Sequence, residues 1–412
     1  MASSDVVIVG AGIIGLSIAW QLARRSRLSI TVLDKGRSIG EGSTGASSAV
    51  CRYRYSTDDM VRFARDGIDT YRQWQAFTGL ESPAASFHGT GVLWMPGEDR
   101  EWAAREHARM ETLGIPTEVL DDADLARRFP AMSRCVIPPD VETGEEHDCQ
   151  GGGRHFFETN GGYVDPMLAA QDLLDCCRQS GVDVRFRSPV TSIETSGGAI
   201  RSVSLADGSQ LSTPLVVNAA GPWCNRLFDA VGLPVQWSLD AVRIQVLYLD
   251  RPDSLVGDIP VTADFASGIY FRTQNRGEQL VVSSLLEEDE QERVADPDNF
   301  NTLTDEDFEL KKLHCLHHRL PALPYRGRIR GYSGLYTVNR NDVHPVLGST
   351  AIDGFMVANG FSGHGFKLAP AVGSMLAQAI TGERADFDTD VPMEMFSIDR
   401  QPFEMDNLSV VA

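Results

Sequence analysis

The chain opens with four consecutive apolar positions, Val6–Val9, then a run of small residues, then apolar positions at Ile18, Leu22 and Ala23. A short unbroken apolar run is the pattern of a strand buried on both faces, and recurrence at three to four residues is that of one helix face. A second apolar run, Ile30–Leu33, repeats the strand pattern, so the opening segment predicts strand, turn, helix and parallel strand. Ser56 or Thr57 is placed to cap a helix carrying Met60, Phe63, Ala64, Ile68 and Tyr71 on one face. Residues 243–249, 268–272 and 279–283 read as strands, and Leu368, Val372 and Met375 mark one more helix. The pattern predicts an α/β chain, α+β overall.

The turn after the first strand reads Gly10-Ala11-Gly12-Ile13-Ile14-Gly15. Gly10 permits a tight turn and Gly12 lets the backbone approach a pyrophosphate at the helix N-terminus, where Ile13 and Ile14 stand. Gly15 allows close packing of helix on strand. Asp34 and Lys35 follow the second strand, and a carboxylate about twenty residues beyond the glycines can accept from ribose hydroxyls. Glycines alone are a weak signal; the whole unit with its acid is specific for a dinucleotide. Residues 41–48, with Ser43, Thr44, Ser47 and Ser48, form a small, hydroxyl-rich loop able to lie against a flat polar cofactor. The plainer reading is a linker.

Composition narrows the function. The chain has 412 residues, 42% of them hydrophobic, enough for two or three domains. A net charge of −20 argues against nucleic-acid or anionic-membrane partners. Seven scattered cysteines without a CxxC indicate neither a disulfide framework nor a zinc knuckle, so a cytoplasmic protein with reduced thiols is expected. No signal segment and no membrane-inserted stretch is read. His314, His317 and His318 share a helical face but lack a cysteine or carboxylate partner in the sequence, so no metal is expected. Residues 143–157 read as a mobile loop, either a lid or an insertion, and the acidic run Glu287–Glu290 as a solvated turn. Only four of the 37 basic residues are lysines (Lys35, Lys311, Lys312 and Lys367), so a lysine in a suggestive place is not surface filler.

Four further stretches carry a resemblance: Gly161-Gly162-Tyr163-Val164-Asp165-Pro166; Val216 through Trp223, with Ala220; Gly334-Leu335-Tyr336-Thr337 with Asp342, His344 and Gly348; and Asn359 through Lys367. With the opening unit they resemble the D-amino-acid oxidase superfamily of flavoproteins, in particular its sarcosine oxidase and dimethylglycine dehydrogenase branch, over nearly the whole chain. The resemblance implies a Rossmann-like FAD-binding domain built from residues 1–85, 146–230 and 325–385. It also implies a discontinuous antiparallel-sheet substrate domain from 86–145 and 231–324, and a C-terminal tail over 386–412. Val190 should lie beside the adenine, Gly334 and Leu335 on the strand returning to the flavin, and Gly363, His364, Gly365, Phe366 and Lys367 at the flavin edge.

By the same resemblance Arg52 and Lys367 clamp a substrate carboxylate, Tyr336 borders the cavity, and Tyr270 is a weaker candidate. The expected reaction is oxidation of the C–N bond of an amino acid or N-alkyl amino acid, with hydride transfer to flavin N5 and an imine that hydrolyses. Electrons would pass to oxygen or another carrier. The residues keep plainer alternatives: a surface ion pair for Arg52, with Arg54 on the opposite face, and core packing for Tyr336. Gly334 stands where sarcosine oxidases have a flavin-bonded cysteine, and Ala46 where dimethylglycine dehydrogenases have a histidine, which implies non-covalent FAD. Val281 stands where sarcosine oxidases have an oxygen-activating lysine. Oxidation of a 2-hydroxy acid, and a non-catalytic FAD-binding assembly factor, are the competing expectations.

Overall fold

The computed structural model describes residues 2–145, 147–324 and 329–404. The opening unit forms as its pattern predicts: strand Val6–Val9, helix Ile13–Ala23 and strand Ile30–Leu33. These strands belong to a six-stranded sheet in the order Asp183–Arg185, Ile30–Leu33, Val6–Val9, Val216–Asn218, Phe355–Asn359 and Val346–Ser349. All neighbours are parallel except the last pair. Close approach depends on glycine. Gly10 has φ +115°, and a Cβ on Gly15 would lie 1.9 Å from the carbonyl oxygen of Gly10. Behind the sheet, helix Gly365–Thr381 crosses the opening helix so tightly that a Cβ on Gly373 would meet Ser17 O at 2.7 Å.

The second large sheet has eight strands: Ile329–Asn339, Leu239–Asp250, Gln279–Ser284, Ile269–Gln274, Val261–Asp264, Val92–Met95, His155–Glu158 and Thr117–Leu120. The three runs expected over 243–283 are its centre. It is antiparallel except where Val261–Asp264 runs parallel to Val92–Met95, a junction that the antiparallel expectation missed because the two strands are joined by no local turn. Strands His155–Glu158 and Ile329–Asn339 also belong here, although motif order had grouped them with the FAD segments.

Strand alternation gives this sheet two unlike faces. Ile269, Phe271, Leu280 and Val282 point to one side, where they pack with Phe308 and Leu316 of helix Glu306–Arg319. Tyr270 and Arg272 point to the other, toward the loop 41–48, where Tyr270 Oη lies 2.9 Å from Ser48 Oγ and Arg272 Nε donates to Ser48 O at 2.6 Å. Thr57 caps helix Asp58–Arg72, its hydroxyl accepting from Met60 N. Two expectations at the periphery change. The segment expected as a tail returns to the core up to residue 404: Phe396 is fully buried against Phe63, and Arg400 pairs with Asp342 at 2.7 Å. The acidic run forms a 3-10 turn over Glu287–Glu290, but Glu290 is buried rather than solvated.

Gly15→Ala should lower stability by about 1–3 kcal/mol, the range for forcing a methyl into a filled contact. A urea denaturation midpoint unchanged from the wild type would contradict the close packing of the opening helix on its turn.

Candidate active site

The glycine turn and the strand after it meet through hydrogen bonds that fix their geometry. Asp34 accepts from Ala11 N at 2.7 Å and from Gly36 N at 2.7 Å, and Thr44 Oγ1 accepts from Ile13 N at 3.0 Å at the mouth of the opening helix. Ile13 and Ile14 bury their side chains in the core, leaving their backbone toward the turn. Val190 begins a strand of the four-stranded sheet Ala2–Ser3, Gln210–Ser212, Ala199–Leu205, Val190–Ser196. With Ala220 it packs against the cluster holding Val7, Val9 and Leu33. Lys35 turns away from the glycine turn, paired with Asp298 and lying 3.9 Å from the ring centre of Trp223. Its exposed side chain is thus engaged by Asp298 and Trp223.

The hydroxyls of loop 41–48 serve first to pin the loop. Ser43 donates to Leu335 O at 2.6 Å, Ser47 accepts from Ala49 N at 3.0 Å, and Ser48 meets Tyr270 as described. Ala46 faces Gly334, where a Cβ would lie 2.4 Å from that of Ala46. The two positions singled out for covalent attachment are thus in mutual contact, with room for no side chain on the strand.

Beyond this loop the chain delivers two cations to one place. Arg52 is 6% exposed and Lys367 5%. The guanidinium carbon of Arg52 lies 4.3 Å from the centre of the Tyr55 ring, and Lys367 Nζ lies 5.8 Å from the same centre. Arg52 also donates to Arg54 O and approaches His364 Nε2 at 3.5 Å. Arg54 makes an ion pair with Glu106 at 3.2 Å. Burial holds Lys367 well below its ordinary range, and the nearby Arg52 charge lowers it further. No carboxylate forms an ion pair with Lys367 among the described residues.

The loop ahead of helix Gly365–Thr381 brings up the remaining residues. Gly363, at φ +81°, lies under Tyr336, whose ring edge would sit 2.7 Å from a Cβ there, and Ser362 N donates to Thr337 O at 2.9 Å. Phe366 turns its ring to the core. Its ring stacks on Tyr71 at 5.0 Å and its carbonyl accepts from Tyr71 Oη, so its side chain is core and only its backbone is available to a cofactor.

Two residues not singled out in the sequence help build the site. Glu158 is fully buried and accepts from Tyr53 N at 2.7 Å, Arg54 N at 2.9 Å and Trp94 Nε1 at 3.0 Å. It thereby fixes the backbone immediately after Arg52. Burial raises its pKa, an effect that those donors and Arg52 partly offset. Arg272, 3% exposed, lies over Tyr163 at 4.3 Å and stands directly across the sheet from Val281. Its signal was its phase: two positions from Tyr270 on a strand, it must share that residue's face.

Comparison with known proteins matches residues 5–379 to the family of FAD dependent oxidoreductases named DAO. The chain belongs to this family. The oxidoreductase is 27% identical to the bovine FAD-dependent oxidoreductase domain-containing protein 1, over 92% of this chain and 81% of that one. It is 26% identical to a monomeric sarcosine oxidase of Streptomyces avermitilis, over 92% and 94%. Among solved structures, L-proline dehydrogenase from P. horikoshii superposes with a TM-score of 0.81 at 21% identity, covering 96% of this chain and 97% of that one. A glycine oxidase from Bacillus cereus gives 0.77 at 18%, covering 98% and 100%. These likenesses share the fold of the FAD-dependent oxidoreductase. The cofactor is FAD, and the Gly10 turn, the N-terminus of the helix from Ile13 and the Asp34 carboxylate fit its pyrophosphate and ribose. No helix among the described residues is long and apolar enough to cross a membrane.

Glu158→Gln replaces an acceptor oxygen by an amide NH2 and leaves a buried backbone N–H without its partner. The expected destabilisation is about 1–3 kcal/mol, readable as a lowered denaturation midpoint of the FAD-loaded protein. Wild-type stability would remove Glu158 from its bracing role.

Proposed function

We propose that this flavoprotein oxidises the C–N bond of an amino acid or N-alkyl amino acid, with its carboxylate held between Arg52 and Lys367. The observation that carries the reading is the convergence of two buried cations on one Tyr55 ring. Such an arrangement is costly in the absence of an anion and favourable once a carboxylate enters. Arginine offers a two-pronged fork and lysine a point charge, so the pair orients a planar carboxylate as well as binding it.

FAD, when bound, supplies the two-electron acceptor for the hydride leaving the substrate carbon. The chain's residues do the rest. Arg52 and Lys367 fix the carboxylate and so the direction of the C–H bond beside it. The same cations, with Tyr55, Tyr270 and Tyr336, disfavour the substrate's ammonium form, so that the reacting nitrogen carries its lone pair. The nitrogen lone pair forms the C=N bond as the hydride departs, and water hydrolyses the imine after release. Ala46 and Gly334 offer no atom for covalent attachment, in keeping with non-covalent FAD. With Val281 across from Arg272, and no lysine on that strand, we assign the reduced protein a slow reaction with oxygen and electron transfer to another carrier.

Anaerobic titration of the FAD-loaded protein with N-methyl, D- and L-amino acids, cyclic amino acids and 2-hydroxy acids tests the reading. Bleaching of the flavin by an amine class is expected. Bleaching by 2-hydroxy acids alone would replace the amine reading, and rapid recovery on admitting air would overturn the slow-oxygen assignment. Lys367→Met and Arg52→Met should each raise KM for the carboxylate substrate by about 10–100-fold, the worth of a hydrogen bond to a charged group.

The lowered pKa of Lys367 has a definite sign. Between that lowered value and the ordinary 10.5 the unfolded chain binds the extra proton, so the group's contribution to stability grows with rising pH and is lost as pH falls through the folded value. An arriving carboxylate reverses the shift. Titration calorimetry in buffers of different ionisation enthalpy should therefore show proton uptake when a small non-oxidisable carboxylate binds, and Lys367→Met should abolish it.

A further inference from the structure

Four metal-ligating side chains that play no part in the site above converge elsewhere in the molecule. The ligand atoms of Cys135, His147, Cys149 and His318 all lie within 4.8 Å of one another. His318 comes from the histidine-rich helix that lacked a cysteine partner in the sequence, and the fold supplies two from a loop far away along the chain.

The surroundings hold this cluster in place. Arg319, the residue after His318, is 1% exposed and pairs through Nε with the fully buried Asp264 at 2.8 Å. Its Nη1 donates to Ser133 O at 2.6 Å while Ser133 N donates back to Arg319 O at 2.8 Å. The helix end is thus locked to the loop two residues before Cys135. Val136 N donates to Gln150 O at 2.9 Å, which sets the segments of Cys135 and Cys149 side by side. Cys135 Sγ lies 3.2 Å from His147 Nε2, and the rings of His147 and His318 are 5.1 Å apart. His318 Nε2 is buried and has no hydrogen-bond partner among the described residues. By contrast His317 is engaged with Leu323 O at 2.6 Å.

We propose that Cys135, His147, Cys149 and His318 form a structural zinc site. Two thiolates cancel the charge of Zn2+, two imidazoles complete the tetrahedron, and the orphaned His318 nitrogen gains a partner. Tetrahedral zinc with these ligands requires ligand atoms about 3.3–3.8 Å apart, a contraction of roughly 1 Å from the present spread, within reach of side-chain rotation. With all four positions filled by protein, the ion leaves none for substrate and acts as a clip. It joins the loop 133–153 to the end of helix Glu306–Arg319, just ahead of strand His155–Glu158, whose last residue braces Arg54. The segment read as a lid or an insertion is on this view a fastened strap.

The test uses the full-length FAD-loaded protein, purified without chelator, with any affinity tag removed. Elemental analysis by mass spectrometry should find one zinc per chain. Cys149→Ser, at an exposed position, and His318→Gln should each bring zinc to about none while FAD content stays at the wild-type ratio. Wild-type protein loaded with Co2+ should show tetrahedral ligand-field bands at wavelengths beyond the flavin's absorption, a readout that needs no variant. The proposal is overturned if desalted wild-type protein retains no stoichiometric zinc after incubation with zinc chloride. A Cys135–Cys149 disulfide in its peptide map, or full zinc in both variants, would overturn it equally.

Discussion

A carboxylate without solvent, Glu158, holds the segment that carries Arg52 in this oxidoreductase. Taking an ionised carboxyl out of water is expensive unless several donors replace its hydration. Glu158 obtains them from Tyr53 N, Arg54 N and Trp94 Nε1. Those donors lie on the segment of Arg52 and on the neighbouring strand Val92–Met95, so one buried charge joins the substrate sheet to the segment that follows the cofactor loop. The extended backbone of residues 52–54 would otherwise have little to hold it, since its only ladder is the two-residue strand Val50–Cys51.

From this brace the division of labour follows. The large sheet turns an apolar face to helix Glu306–Arg319 and a polar aromatic face, Tyr270 and Arg272, to the loop 41–48. The dinucleotide sheet turns the mouth of its first helix toward the same loop through Thr44. Loop 41–48 is therefore held from both sides, and its hydroxyls are occupied by the fold.

Much of this was legible along the chain. The opening βαβ unit is local, and its glycines and Asp34 form as their spacing indicates. The strands over 243–283 and the Thr57 cap likewise rest on short-range pattern. Arg52 and Lys367 could be named only through the family resemblance, since nothing near either in sequence shows that both reach Tyr55. Glu158 and Arg272 escaped because the partners of a buried charge are set by tertiary contacts 64 to 224 residues away along the chain, although Arg272 shares the strand phase of Tyr270. The side chains of Lys35 and Phe366 show the opposite case. Each is adjacent to a true motif, and adjacency does not fix side-chain direction: Lys35 follows Asp298, and Phe366 the stack on Tyr71.

The order of strands in the dinucleotide sheet has a consequence for how the chain is made. Val6–Val9 needs Val216–Asn218 on one side, that strand needs Phe355–Asn359, and the opening helix is covered by helices Pro166–Gln179 and Gly365–Thr381. A chain emerging from the ribosome therefore exposes its most apolar strands, with unpaired edges, until almost all of it has been synthesised. Such long-range closure is slow and open to misassociation. Sheltering by chaperones during synthesis, more than any weakness of the finished core, would then limit how much working enzyme a cell obtains.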